Sequence, residues 1–338
     1  MSVKFHEATR ENRTSYYNEE WRIKDVPDYI LETLSKREFG FDHDGTGPKD
    51  RYNRFESPEA LAEFLQKRAP YAVYCSVSFY EKPQNREGWE EAELVFDIDA
   101  KELTIKSCCK IGEVCEICLD NAKNVAMEVV RLMREDLALE GIYTSYSGRG
   151  YHIRVHDKDI MPQDSEVRAN IFDYVRDRMY TSPKDMQKPP ALLFDEERKV
   201  KDVLERTVPF SNLTKEIMKT LIRDGTSERL ILNVPGIGKT TADKIFGNSQ
   251  DIMEWMDNNS VKELRKLLGP KNTQNFLEHV YMGYINLMDA KVTVDTKRIL
   301  RLPSSLHSKI SRKCIHVEDL KNFKPEHEAV PKFTRDEK

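Results

Sequence analysis

Asp97 and Asp99 stand two residues apart at the end of Glu93-Leu94-Val95-Phe96-Asp97-Ile98-Asp99. In a strand, residues two apart share a face. Leu94, Phe96 and Ile98 then point into a core, and the two carboxylates point together to the other side. Like charges so placed repel unless a cation sits between them. Mg²⁺ favours carboxylate oxygen and keeps positions open for phosphate oxygens. Two such ions can activate an attacking hydroxyl and stabilise the leaving oxygen of a phosphoryl or nucleotidyl transfer. Asp-x-Asp is common in proteins, and the plain alternative is a solvated strand end.

A second candidate is Ser147-Gly148-Arg149-Gly150-Tyr151-His152-Ile153-Arg154. Two glycines permit a tight turn and close backbone approach to a phosphate. Ser147 offers a hydroxyl, and Arg149 a guanidinium fork suited to phosphate oxygens. On the following strand His152 and Arg154 share a face, with Ile153 and Val155 toward the core. A third candidate is the late stretch from Asp289 through Asp295 to Arg298-Ile299-Leu300-Arg301, ending at His307 and Lys309. It reads as a third carboxylate followed by cations for a polyphosphate, or as a salt-bridged edge strand.

Cys108, Cys109, Cys115 and Cys118 fall within eleven residues, while Cys75 and Cys314 stand alone. Cys-x2-Cys forms a compact knuckle that sets two thiolates on one tetrahedral Zn²⁺, and the earlier pair completes it. Four protein ligands leave no open position, so such a zinc is structural. Asn233-Val234-Pro235-Gly236-Ile237-Gly238-Lys239-Thr240 is not a phosphate-binding P-loop, because Asn233 stands where that motif needs glycine. It resembles a helix-hairpin-helix turn, of the kind that presents backbone N–H groups to a DNA phosphate.

Elements must position these groups. Residues 1–70 look helical and charged. Pro27 opens a helix through Tyr29, Ile30 and Leu34, and Pro58–Lys67 forms another, with residues 42–50 as a loop between them. Residues 72–80 and 92–98 are β-like. Residues 121–140 read as an amphipathic helix stopped by Gly141. Residues 142–146 and 151–155 read as strands around the Ser-Gly-Arg-Gly turn. Residues 166–179, 211–223 and 260–268 are helical, and 292–294 and 298–302 are again β-like. The reading is a discontinuous α/β core over 1–163 and 286–325, with the knuckle at 106–120. A helical subdomain covers 164–285, and a polar tail covers 326–338.

The chain has 338 residues, of which 39% are hydrophobic and 33% charged, and its net charge is −4. A nucleic-acid partner therefore cannot be argued from overall charge and needs a local basic patch. No apolar run is long enough for a membrane span. The polar first residues lack a signal core, and clustered cysteines fit a cytoplasmic metal site better than a disulfide framework.

In order, these motifs resemble the small, catalytic subunit of archaeal and eukaryotic DNA primases. The resemblance rests on the Asp97/Asp99 strand, the cysteine knuckle, the Ser147-Gly148-Arg149 hairpin with His152, and a late Asp before Arg301-Leu302-Pro303-Ser304-Ser305-Leu306-His307. Arg37-Glu38-Phe39-Gly40-Phe41 and Arg51-Tyr52 look like that family as well. The match spans about residues 35–155 and 286–312.

The resemblance implies a mixed-sheet primase core that starts strands on single-stranded DNA from NTPs or dNTPs with Mg²⁺ or Mn²⁺. It implies metal binding by Asp97, Asp99 and Asp289, with Asp295 as the second choice for the third position. Ser147, Arg149, His152, Arg301, His307 and Lys309 are then expected on the phosphates, with Arg51 and Glu38 at the edge of a second nucleotide site. It also implies Zn²⁺ on the four cysteines and a large-subunit partner. The all-Cys knuckle looks more like the eukaryotic arrangement, in which case the location is nuclear. Other readings are a primase-polymerase or repair-type polymerase extending existing ends, and a zinc-containing nucleic-acid-binding protein without catalysis.

Overall fold

The computed structural model describes residues 6–103, 108–110, 112–178, 222, 228–258, 261–285 and 287–334. The chain divides into two units. One comprises residues 1–98, 134–171 and 289–338, and the other residues 99–133 and 172–288.

The first unit is a mixed α/β body. One four-stranded sheet has the order β2-β1-β3-β9, with β1 at Phe39–Asp42, β2 at Asp50–Asn53, β3 at Ala72–Ser76 and β9 at Ile299–Arg301. The other has the order β12-β7-β8-β6, with β6 at Leu94–Asp99, β7 at Ile142–Tyr146, β8 at Gly150–Val155 and β12 at Ile315–Val317. Two hairpins complete the set: β4 (Ser78–Lys82) with β5 (Glu87–Ala92), and β10 (Leu306–His307) with β11 (Arg312–Lys313). The pairs β1–β2, β1–β3, β3–β9, β7–β8, β7–β12, β4–β5 and β10–β11 are antiparallel.

Alternation along β1 sends Phe39 and Phe41 into a core with Tyr17, Trp21, Ile30, Leu61, Leu65, Val73 and Leu302. Helix α1 (Arg10–Ser15) is capped by Thr9, α2 spans Asp28–Leu31, and α3 (Pro58–Arg68) starts at Ser57 with proline in its first turn. A second cluster of Val77, Ala92, Val95, Val292 and Leu300 lies beside the strand that carries Asp97.

Several expectations change. The helix from Pro27 is one turn, and Leu34 falls in a separate 3₁₀ turn at Leu34–Lys36. Helix α4 runs Glu116–Glu135, so it begins inside the cysteine knuckle and ends six residues before Gly141. Residues 292–294, read as β-like, lie in a short helix, Ala290–Val294. The Asp289 side chain accepts a hydrogen bond from the Lys291 amide there, and that cap outweighs the β preference of Val292, Thr293 and Val294. The polar tail is packed as far as Thr334. It forms Pro325–Glu328 and a 3₁₀ turn, Ala329 is fully buried, and the Lys332 amide donates to Glu20.

The second unit is helical in the residues described. It holds Glu228–Leu232, Lys239–Gly247, Ser249–Asp257, Val261–Leu268 and Pro270–Ile285. Pro235-Gly236-Ile237-Gly238 turns between the first two, with Gly236 at φ +79° and Asn275 donating to the Pro235 carbonyl. Of the helix expected at 211–223, only Ile222 falls among the described residues, where it is helical and buried.

Candidate active site

Strand β6 is buried on both faces. Leu94, Phe96 and Ile98 are fully buried on one side as expected, but Glu93 and Val95 are buried on the side of Asp97 too. Glu93, 0% exposed, is the hub of an ion network. Arg37 Nη2 donates to it at 2.6 Å, Arg154 Nη1 donates to its other oxygen, and His156 Nε2 lies 2.8 Å away. Burial would raise the Glu93 carboxyl, but Arg154, Arg37 and His156 outweigh it and hold the group far below the ordinary carboxylate range. Arg168 donates to the main-chain carbonyls of Glu93 and Ala92. Arg154 is thus a core residue tied to Glu93, although it shares its strand face with His152.

Asp97 keeps 28% of its side chain exposed and faces His152 Nε2 at 3.4 Å across the neighbouring strand. Burial pushes the Asp97 carboxyl up. His152, with Arg298 and Arg149, more than offsets that and holds it below its usual value, so Asp97 is ionised at neutral pH. The Asp289 amide donates to the Asp97 carbonyl at 3.1 Å, and the Asp289 carboxylate lies 3.6 Å from Arg298 Nη2. The backbone thus brings Asp289 to the Asp97 strand. Asp295 instead accepts from the Lys297 amide at the far end of the short helix. Asp99 ends β6, where its side chain accepts from the Lys101 amide.

The Ser-Gly-Arg-Gly turn joins β7 to β8. The Ser147 amide donates to the Gly150 carbonyl at 2.9 Å, and the Tyr146 hydroxyl donates to the Gly148 carbonyl. Gly148 has φ +102°, and a Cβ there would lie 2.7 Å from Cβ and Cδ2 of His307. The turn and the late stretch therefore meet face to face. His307 is 7% exposed, and its Nδ1 is buried without a hydrogen-bond partner. Burial, reinforced by Arg301, Arg149 and Lys309, holds His307 well below its usual value and keeps the ring neutral. Lys309 is exposed, and Arg301 packs its guanidinium 5.1 Å from the Tyr74 ring. Arg149, Arg301, His307 and Lys309, four of the expected phosphate ligands, converge here.

Arg298 was part of the late stretch without a separate role, yet its guanidinium lies 3.6 Å from Asp289 and its charge helps hold the Asp97 carboxyl down. Its signal was its place in the same cationic run. The Gly148–His307 contact predicts that Gly148→Ala costs about 1–3 kcal/mol of stability, through a left-handed backbone and overlap with a buried ring. Thermal unfolding checks this, and a variant with the wild-type midpoint contradicts the packing.

In the second unit the four cysteine sulfurs lie within 4.8 Å of one another. Cys108 and Cys109 Sγ are each 3.5 Å from Cys118 Sγ, and Cys115 Sγ is 3.7 Å from it. Tetrahedral Zn–S bonds of about 2.3 Å require sulfurs about 3.8 Å apart. The set therefore fits a metal ion.

Residues 96–318 match the family model described as DNA primase small subunit. A protein named DNA primase small subunit PriS from Methanobrevibacter smithii is 39% identical over 98% of this chain and 99% of its own length. Proteins of the same name from Methanothermobacter thermautotrophicus and Pyrococcus abyssi are 37% and 40% identical, over 98% of this chain and 98% and 95% of theirs. No helix among the described residues is long and apolar enough to cross a membrane.

Proposed function

This chain belongs to the DNA primase small subunit family, and on that basis we propose that it is the catalytic subunit that starts strands on a single-stranded DNA template. The observation that carries the proposal is the meeting of Asp97, His152 and Asp289 beside a turn packed on a neutral histidine, His307, whose buried Nδ1 has no hydrogen-bond partner. Asp97, Asp99 and Asp289 would hold divalent ions, Mg²⁺ or Mn²⁺, which lower the pKa of an attacking 3′-hydroxyl and offset charge on the departing pyrophosphate.

The chain's own groups do the rest. Arg149, Arg301 and Lys309 hold the triphosphate by charge, and Ser147 adds a hydroxyl donor. Neutral His307 donates one N–H to a phosphate oxygen without adding charge. His152 orients Asp97 and stands at the edge of the same phosphates. Donors fixed in advance contribute most, because nothing reorganises as charge develops. A large primase subunit is the expected partner, and the chain's location is the archaeal cytoplasm.

Nucleotide binding tests this reading directly. Affinity for a nucleoside triphosphate should rise on adding Mn²⁺ and lose that rise in Asp97→Asn. Binding indifferent to both would favour a nucleic-acid-binding protein without catalysis.

The cysteine set fits Zn²⁺ as a structural ion. Elemental analysis should give about one zinc per chain, and Cys115→Ser should lower both zinc content and the unfolding midpoint. Full zinc content in that variant contradicts the assignment.

A further inference from the structure

The edge of the β2-β1-β3-β9 sheet carries a feature outside the Asp97, Asp99 and Asp289 set, at Arg51 and Glu38, the two residues that the family resemblance placed at the edge of a second nucleotide site. Between the pairs Phe39–Asn53 and Phe41–Asp50, Arg51 and Tyr52 oppose the single residue Gly40, which makes a β-bulge. Bulges of this kind re-aim side chains and gather next to functional sites. Gly40 permits it, since a Cβ there would lie 3.0 Å from Arg51 Cδ and from Ile299 Cδ1. Tyr52 has φ +67° and is 49% exposed. A bulky residue in the left-handed region is an outlier that persists only when its surroundings enforce it.

Two arginines enforce it. Arg51 Nε and Arg86 Nε bind the two oxygens of Glu38 at 2.6 and 2.7 Å, and Glu38 is 1% exposed. Arg86, itself at φ +55°, stands 5.1 Å from the Tyr52 ring centroid, and Arg51 stands 5.7 Å from it. Arg51 Nη2 is buried without a hydrogen-bond partner, so the accessible guanidinium edge beside the ring is that of Arg86. Two guanidinium charges less one carboxylate leave a net charge of +1 beside an exposed ring.

We propose that Tyr52, Arg51 and Arg86 bind one unstacked base and its adjoining phosphodiester of the single-stranded DNA template. A single positive charge matches one phosphodiester and is too little for a triphosphate, whose charge is met by Arg149, Arg301 and Lys309. An exposed ring stacks any base, which suits a strand read without sequence preference. The proposal rests on the primer-synthesis reading above.

The test is fluorescence anisotropy of the full-length chain with a labelled oligothymidylate, without nucleotide. Tyr52→Leu should weaken binding about 5-fold or more, the lower end of what base–aromatic stacking contributes. Tyr52→Phe should restore it. Arg86→Ala should lower the slope of log affinity against log salt by about 0.7, one phosphate's share on a single strand. Tyr52→Gly relieves the left-handed backbone, so it should weaken DNA binding while keeping or raising the melting temperature. A Tyr52→Gly protein that loses stability along with DNA binding would mean the ring is structural, and the proposal fails. It fails equally if Tyr52→Leu and Arg86→Ala hold the oligonucleotide as wild type does, or if Tyr52→Leu weakens nucleotide binding instead. Primer synthesis by the wild type, measured alongside, separates failure of this site from failure of the functional reading.

Discussion

Asp97→Asn lowers primer synthesis by about 1000-fold or more, because a loss of several kcal/mol of charge stabilisation acts directly on the transition state. The fold survives the change. Asparagine is isosteric, the Asp97 side chain is partly exposed, and the bond from the Asp289 amide goes to the Asp97 carbonyl, which the substitution leaves in place. Nucleotide incorporation and far-UV circular dichroism melting check the two halves together. Normal turnover would sink the metal assignment. Lost turnover with a collapsed melt would mean that Asp97 is chiefly structural.

The second large effect is on stability. Glu93→Gln leaves Arg37 and Arg154, both 0% exposed, without their common counter-charge. Breaking a buried pair from one side costs about 3–5 kcal/mol. Glu90→Gln, which removes the exposed partner of Lys36, should cost less than about 1 kcal/mol. Urea unfolding at neutral pH compares them, and equal costs would contradict the network.

The pH dependence has a definite sign. The Glu93 carboxyl titrates lower in the folded chain than its unfolded value of about 4.3. The unfolded chain therefore binds more protons in that range. The Glu93 contribution is complete above about pH 4.3 and is lost as pH falls below it. Glu93→Gln should flatten this acid limb of the stability curve.

What the sequence disclosed and what it hid differ in range. The Asp97/Asp99 strand was legible because alternation is local, and so was the hairpin at Ser147–Gly150, where two glycines mark the turn. Four cysteines within eleven residues needed no fold to be read together. The Glu93 network was not legible. Its partners lie 56 and 61 residues away in sequence, and nothing local distinguishes Glu93 from a surface glutamate. Strands β1 and β2 were hidden by a short loop rich in Gly and Asp and by a bulge that breaks alternation at Arg51 and Tyr52. Residues 292–294 misled because three β-branched side chains outnumber the one capping aspartate that decides the matter. The choice of Asp289 over Asp295 came only from the family resemblance. In the structure a backbone bond ties Asp289 to the Asp97 strand, and Asp295 lies at the far end of the short helix.

The most direct test is primer synthesis without a primer. Ribo- and deoxynucleotides are offered separately on unprimed single-stranded DNA with Mg²⁺ or Mn²⁺, using the chain alone and with a large subunit, beside an Asp97→Ala/Asp99→Ala control. Short products from the wild type and none from the control are expected. Equal products from the double variant, or extension of existing ends with no synthesis de novo even when the large subunit is present, would contradict the account.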